Sequence, residues 1–182
     1  MGIEAICLQH LAEFAELWQR REQLLADEEA TSADLARTDR GLLAHADGLS
    51  AAGEAACHLL AQPFYEDDPD RIAAAVVALL DLDVAGADRV VVRHFLLAEG
   101  EQLQAIVRGL CVANVERILD VIVDMALYGE GSTCVAAAEV LARHRRLEPD
   151  MKAWRAGLTH DDPLVRRAVW RVVALADRDA TG

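Results

Sequence analysis

Aromatic residues make up only 4% of this chain, and it has four prolines. So thin an aromatic content argues against a β-core built from large rings. The 53% hydrophobic content rests mainly on alanine, leucine and valine, which pack well between helices. None of the prolines interrupts a strongly periodic segment, so no long helix has to be broken on their account. Long apolar runs are also missing. The nearest, residues 84–98, is cut by Asp88, Arg89, Arg93 and His94, well short of the roughly 18 uninterrupted residues that cross a bilayer. The opening Met1-Gly2-Ile3-Glu4 has no basic segment leading into an apolar core, so no secretory signal is expected. Ile6 stands where an N-myristoylation pattern wants Ser or Thr. Cys7, Cys57, Cys111 and Cys134 are widely spaced and form no CxxC pair. They read as buried, reduced thiols of a cytoplasmic protein.

Basic charge is scarce and unevenly placed. The net charge is −13, and Lys152 is the only lysine. Residues 143–182 carry nine basic and six acidic side chains, a local +3, which leaves −16 on the rest. Such an acidic body repels nucleic acid and attracts basic proteins at long range.

What is present is helical periodicity. Ile6, Leu8, Leu11, Phe14, Ala15, Leu17, Trp18 and Leu25 fall on one broad face, which predicts a long amphipathic helix over residues 3–26. Asp27-Glu28-Glu29 marks a break, and Thr31-Ser32-Ala33-Asp34 restarts the chain with a capping hydroxyl and an acid in the first turn. A second helix follows through Leu35, Leu42, Leu43, Ala46 and Leu49, with Gly48 and Gly53 placed to bend or split it before Gln62-Pro63-Phe64-Tyr65. Further helices are expected from Pro69 to Leu80 and near 85–98, 100–111, 114–128, 132–146 and 149–158. No β-alternation is sustained.

The last helix has the clearest start. Asp162 is placed as its cap and Pro163 at its first position. Val165, Val169, Val172, Val173 and Ala176 form an apolar stripe, and Ala168 and Ala174 leave room for a neighbour. Asp162 and Arg166 are spaced for an i,i+4 pair. The same cap-then-proline pattern occurs at Asp68-Pro69, and the two prolines are 94 residues apart, close to three repeats of about 31. These features predict an all-α fold in one domain. Residues 1–62 would be a long-helix region and residues 66–178 a HEAT-like α-solenoid of stacked helix pairs.

Two further segments resemble a known group. Leu11-Ala12-Glu13-Phe14-Ala15-Glu16-Leu17-Trp18-Gln19-Arg20-Arg21 and Leu35 to Leu49, with Gly53-Glu54-Ala55 after them and Asp162-Pro163-Leu164-Val165-Arg166 near the end, resemble a bacterial HEAT-like family found beside type VI secretion gene clusters. The resemblance covers most of the chain and is most specific in the first 60 residues. It implies a non-enzymatic cytoplasmic immunity protein that neutralises a toxic effector; the acidic charge of the chain then suits occlusion of a basic one, such as a nuclease. An adaptor that loads an effector without inhibiting it is the alternative. The partner-binding residues expected on this reading are Glu66, Asp67, Asp68, Asp70, Asp81, Asp83 and Asp88, all at helix ends and able to share one rim. No nucleic acid, membrane or cofactor is expected; a homo-oligomer is left open.

Motifs for chemistry are sparse. His160-Asp161 is an HD dipeptide, but His10, His45, His58, His94 and His144 show no paired helical spacing such as HExxH. The run Glu66–Asp70 lacks the glycine and distal glutamate of a calcium loop. Gly100 and Gly109 make no phosphate loop, and no GxSxG elbow occurs. Ser132-Thr133 is expected to cap a helix. Arg143-His144-Arg145-Arg146 suits a helix C-terminus. Trp154 and Trp170 are expected in the core. Neither a catalytic nor a metal site is predicted.

Overall fold

The computed structural model describes residues 2–81, 84–148, 151 and 153–179. All secondary structure among them is helical, in nine α-helices and three short 3₁₀ segments. The chain divides into two compact units, Met1–Val91 and Val92–Gly182, the boundary falling inside a helix.

The first unit contains α1 (Ile3–Ala26), α2 (Ser32–Ala51), α3 (Glu54–Leu60), a 3₁₀ segment (Gln62–Tyr65), α4 (Pro69–Asp81) and the start of α5 (Ala87–Leu97). Cys7, Leu11, Phe14 and Trp18 recur at helical spacing along α1 and are buried. The buried stripe is narrower than expected: Leu8 and Leu25 face solvent, and so does Leu43 on α2. The Trp18 indole Nε1 is buried with no acceptor among the described residues. At the start of α2, Thr31 and Asp34 form the expected capping box. Thr31 Oγ1 accepts from the Asp34 N–H at 3.2 Å, and Asp34 Oδ2 accepts from the Thr31 N–H at 3.3 Å. The Thr31 hydroxyl, donating to Asp34 Oδ2 at 2.6 Å, and then the Thr31 N–H hold the Asp34 carboxyl below its ordinary pKa. Gly53, at φ +59°, separates α2 from α3, a backbone conformation open to glycine without strain.

α1 and α2 run antiparallel. Arg21 Nε donates to Asp39 Oδ1 at 2.8 Å near one end, and His10 meets His45 near the other. α1 also packs on α3 and α4, and α4 on α2 and α3. Ile72 through Leu80 are all buried, so α4 is enclosed on every side.

The second unit continues through α6 (Gly100–Leu110), α7 (Leu119–Tyr128), α8 (Gly131–Arg143) and α9 (Pro163–Asp179). α8 is its centre, packed against α6, α7, α9 and the 3₁₀ segment Ala153–Thr159. Cys134 through Ala142 are all buried. The residue among them with a charge, Glu139, is 7% exposed and binds Arg171 of α9 in a two-pronged ion pair, with Arg171 Nη2 to Oε2 at 2.9 Å. The same Nη2 donates to Gln104 Oε1 of α6 at 2.6 Å. The Glu139 hydrogen bonds raise the Arg171 pKa further.

Two predicted helices are shorter or tighter than expected. Residues 114–118 are not α-helical, because Asn114 Oδ1 accepts from the Glu116 N–H at 3.1 Å and turns the chain. The segment near 149–158 is 3₁₀ over Ala153–Thr159. Gly157 lies there against α8 and α9. A Cβ at that position would stand 2.7 Å from Val135 and 2.9 Å from Val169. α9 starts as predicted, with Asp162 Oδ1 accepting from the Leu164 N–H at 2.8 Å. Val165, Val169 and Val172 are buried, whereas Ala174 is exposed. The expected Asp162–Arg166 pair gives way to backbone: Arg166 Nη1 donates to the carbonyls of His160 and Asp161 at 2.6 and 2.7 Å. Trp154 is in the core, where its Nε1 donates to the Met151 carbonyl, but Trp170 is 64% exposed.

Candidate functional site

The acidic residues expected to bind a partner fall in two groups. α4 is 13 residues long, so its ends lie about 18 Å apart. Glu66, Asp67, Asp68 and Asp70 sit at its N-terminal end, Asp81 at its C-terminal end, and Asp88 in the first turn of α5. Asp83 lies outside the described residues. Asp68 has a structural duty, since its Oδ1 accepts from the N–H groups of Asp70 and Arg71, both at 3.1 Å. Glu66 pairs with Arg71. Glu66, Asp67 and Asp81 are exposed, and Asp88 is half-buried. The Asp88 charge reaches Cys57, whose thiol is pushed up first by burial and then by Glu54 and Asp88.

The whole first unit shares this acidity. It holds 18 acidic and 6 basic residues, a net −12, against 13 and 12, a net −1, in the second.

Spacing along the chain does not reveal a second constellation, on α1 and α2. His10 and Glu13 stand one turn apart on α1, on a common face. Across the antiparallel pair, α2 brings His45 to the same place. His10 Nδ1 and His45 Nδ1 are 2.9 Å apart, their ring centroids 5.2 Å apart at 62°. Glu13 Oε2 lies 3.3 Å from His45 Nδ1. The Gln9 side-chain amide donates to Glu13 Oε1 at 3.0 Å and orients the carboxylate. Gly48, one turn beyond His45, makes room for the His10 ring: a Cβ there would lie 2.7 Å from His10 Nε2. All three side chains are half-buried.

The HD dipeptide does local work instead, as His160 Nδ1 accepts from the Asp162 N–H at 3.1 Å. Glu99, Gly100, Glu130, Gly131, His160 and Asp162 line an open groove of ≈ 780 Å³ where the starts of α6, α8 and α9 meet. Glu99, Glu130 and Asp162 put negative charge where those helix N-termini would favour an anion. The four cysteines are free thiols, Cys7 and Cys134 buried. Burial pushes Cys111 up to about 12, with Glu139 adding to the effect.

No family model matches the chain, and no curated protein or solved structure matches it. No helix among the described residues is long and apolar enough to cross a membrane.

Proposed function

We propose that this chain is a non-enzymatic binding module that docks a basic protein on its acidic first unit, and that it acts in the cytoplasm as an immunity protein occluding a toxic effector. The observation that carries the reading is the charge asymmetry, −12 on residues 1–91 against −1 on residues 92–182. A field of one sign raises the rate of encounter with a partner of opposite sign and suppresses wrong partners. Occlusion requires no chemistry from the protein that covers the site. The immunity role and the type VI setting rest on the sequence resemblance in the first 60 residues. The HEAT-like reading of residues 66–178 draws support, in its C-terminal part, from the close packing of consecutive helices, α7 on α8 and α8 on α9.

Co-expression with the product of the neighbouring gene, scored by growth and by co-purification, tests this. Rescue of growth together with a stable complex is the expected result. A complex without rescue favours the adaptor reading, and neither binding nor rescue overturns both. In the complex, Asp67→Lys, Asp81→Lys and Asp88→Lys together should slow association more than about tenfold at low salt. Asp68 is left in place because it caps α4. An unchanged association rate would remove the acidic face from the interface.

A further inference from the structure

We propose that His10, Glu13 and His45 form a binding site for a divalent transition-metal ion, of which Zn²⁺ is the best-matched example, and that the ion ties α1 to α2. Two imidazoles and one carboxylate are a borderline donor set, suited to Zn²⁺, Co²⁺ or Ni²⁺ and poorly matched to Mg²⁺ or Ca²⁺. One ligand atom from each residue lies within 4.8 Å of the other two. In a tetrahedral site with bonds of about 2.0–2.1 Å, ligand atoms stand about 3.3 Å apart. The observed 3.3 Å between His45 Nδ1 and Glu13 Oε2 matches that value, and the 2.9 Å between the two Nδ1 atoms is shorter than it. A small separation of the two rings completes the geometry.

Without an ion, two Nδ1 atoms at 2.9 Å need a proton between them, so one ring donates and the other accepts. An ion takes the place of that shared proton. The ring that carried it moves its proton to Nε2, both Nδ1 lone pairs face the metal, and the ionised Glu13 offsets its charge. Two neighbouring residues prepare the site. Gln9 holds Glu13 Oε1 at 3.0 Å and leaves Oε2 for the ion, the outer contact that metal-binding carboxylates commonly have. Gly48 leaves the space into which the His10 ring fits. Three protein ligands leave a fourth position for water or a donor from another molecule. The site lies on α1 and α2 of the same acidic unit, and ion binding there requires no protein partner.

The test is titration of the tag-free full chain, stripped by chelator, with ZnCl₂ by calorimetry, and with CoCl₂ by visible absorption. The expected result is one ion per chain, with a Co²⁺ spectrum of four-coordinate nitrogen and oxygen ligation. Glu13→Gln and His45→Gln should each weaken binding more than about 100-fold, since even outer contacts are worth 10–100-fold. Gln9→Ala should weaken it about tenfold. In the unsubstituted protein, the ring NMR signals of His10 and His45 should shift with Zn²⁺, while those of His58, His94 and His160 stay in place. No binding, binding that Glu13→Gln and His45→Gln leave unchanged, or a cobalt spectrum dominated by thiolate would overturn the proposal.

Discussion

Each unit contains one alanine-rich helix with nine consecutive buried residues, and the two runs differ in whether they include a charge. In α4 the nine are apolar throughout, Ile72 to Leu80; in α8 the run Cys134 to Ala142 includes Glu139. The first unit has no buried charge among its described residues and carries a net −12 in its sequence. The second is close to neutral and places an ion pair among α6, α8 and α9. A buried charge has to be matched by a counter-charge and hydrogen bonds, and Arg171 and Gln104 supply them. Among the described residues the first core encloses no charged side chain; the second adds an ion pair that ties three helices in register.

The largest effects should come from what the two helices share. Ala75 and Ala137 are each 0% exposed, and neighbouring helices come close only because these side chains are small. Ala75→Leu and Ala137→Leu should each cost about 3 kcal/mol, the upper end of the usual overpacking range, measured by urea unfolding. A much smaller cost at one site would show that its helix is less tightly enclosed than its partner.

The polar contact separates the two helices. Glu139→Leu leaves the guanidinium of Arg171 without its carboxylate. Loss of one partner from a fully buried pair costs about 3–5 kcal/mol; because the Arg171 side chain is 41% exposed, about 2 kcal/mol is expected. Adding Arg171→Met should recover most of that loss, since an apolar pair of similar volume needs no counter-charge. If the double variant is no more stable than the single, the pair is not the reason for the difference between the helices.

The smallest effect is alkaline. Burial raises the thiols of Cys111 and Cys134 in the second unit and of Cys57 in the first. A raised folded-state thiol pKa means that the folded protein holds its proton where the unfolded chain has lost it. The stabilising contribution is complete below the ordinary thiol pKa of about 8.5 and is lost as pH rises toward about 12 for Cys111. Unfolding followed from pH 8 to pH 11 should show falling stability, and Cys111→Ala should flatten that fall. A slope unchanged by Cys111→Ala would assign the alkaline loss to other groups.

Much of this architecture was legible along the chain. The cap at Thr31, the break at Gly53 and the start of α9 at Asp162-Pro163 are local signals, because a cap or turn is decided by a few adjacent residues. Periodicity located α1, α2, α4, α5, α6 and α9, but it did not show how far each is buried. For α4 the sequence predicts a helix from Pro69 to Leu80, and the structure adds that Ala73, Ala74 and Ala75 are as enclosed as Ile72, Val76 and Leu79. Alanine is compatible with either environment, so only packing on the other helices decides. Trp170, expected in the core, lies outside, because the valine stripe of α9 turns the other way.

The candidate sites divide in the same manner. Acidic excess is a property of composition and could be read directly; which acids are committed could not. Asp68 is spent on backbone N–H groups and Glu66 on Arg71. His10 and His45 are 35 residues apart and match no short pattern; they meet because α1 and α2 fold back antiparallel. Glu139 and Arg171 are 32 apart on different helices. Composition and short-range order determined the helical class, the charge and the caps, because each depends on residues a turn or less apart. Tertiary structure alone decided the division at Val91, the enclosed faces of α4 and α8, and the pairing of distant ionisable groups, since these depend on which helix faces lie against one another.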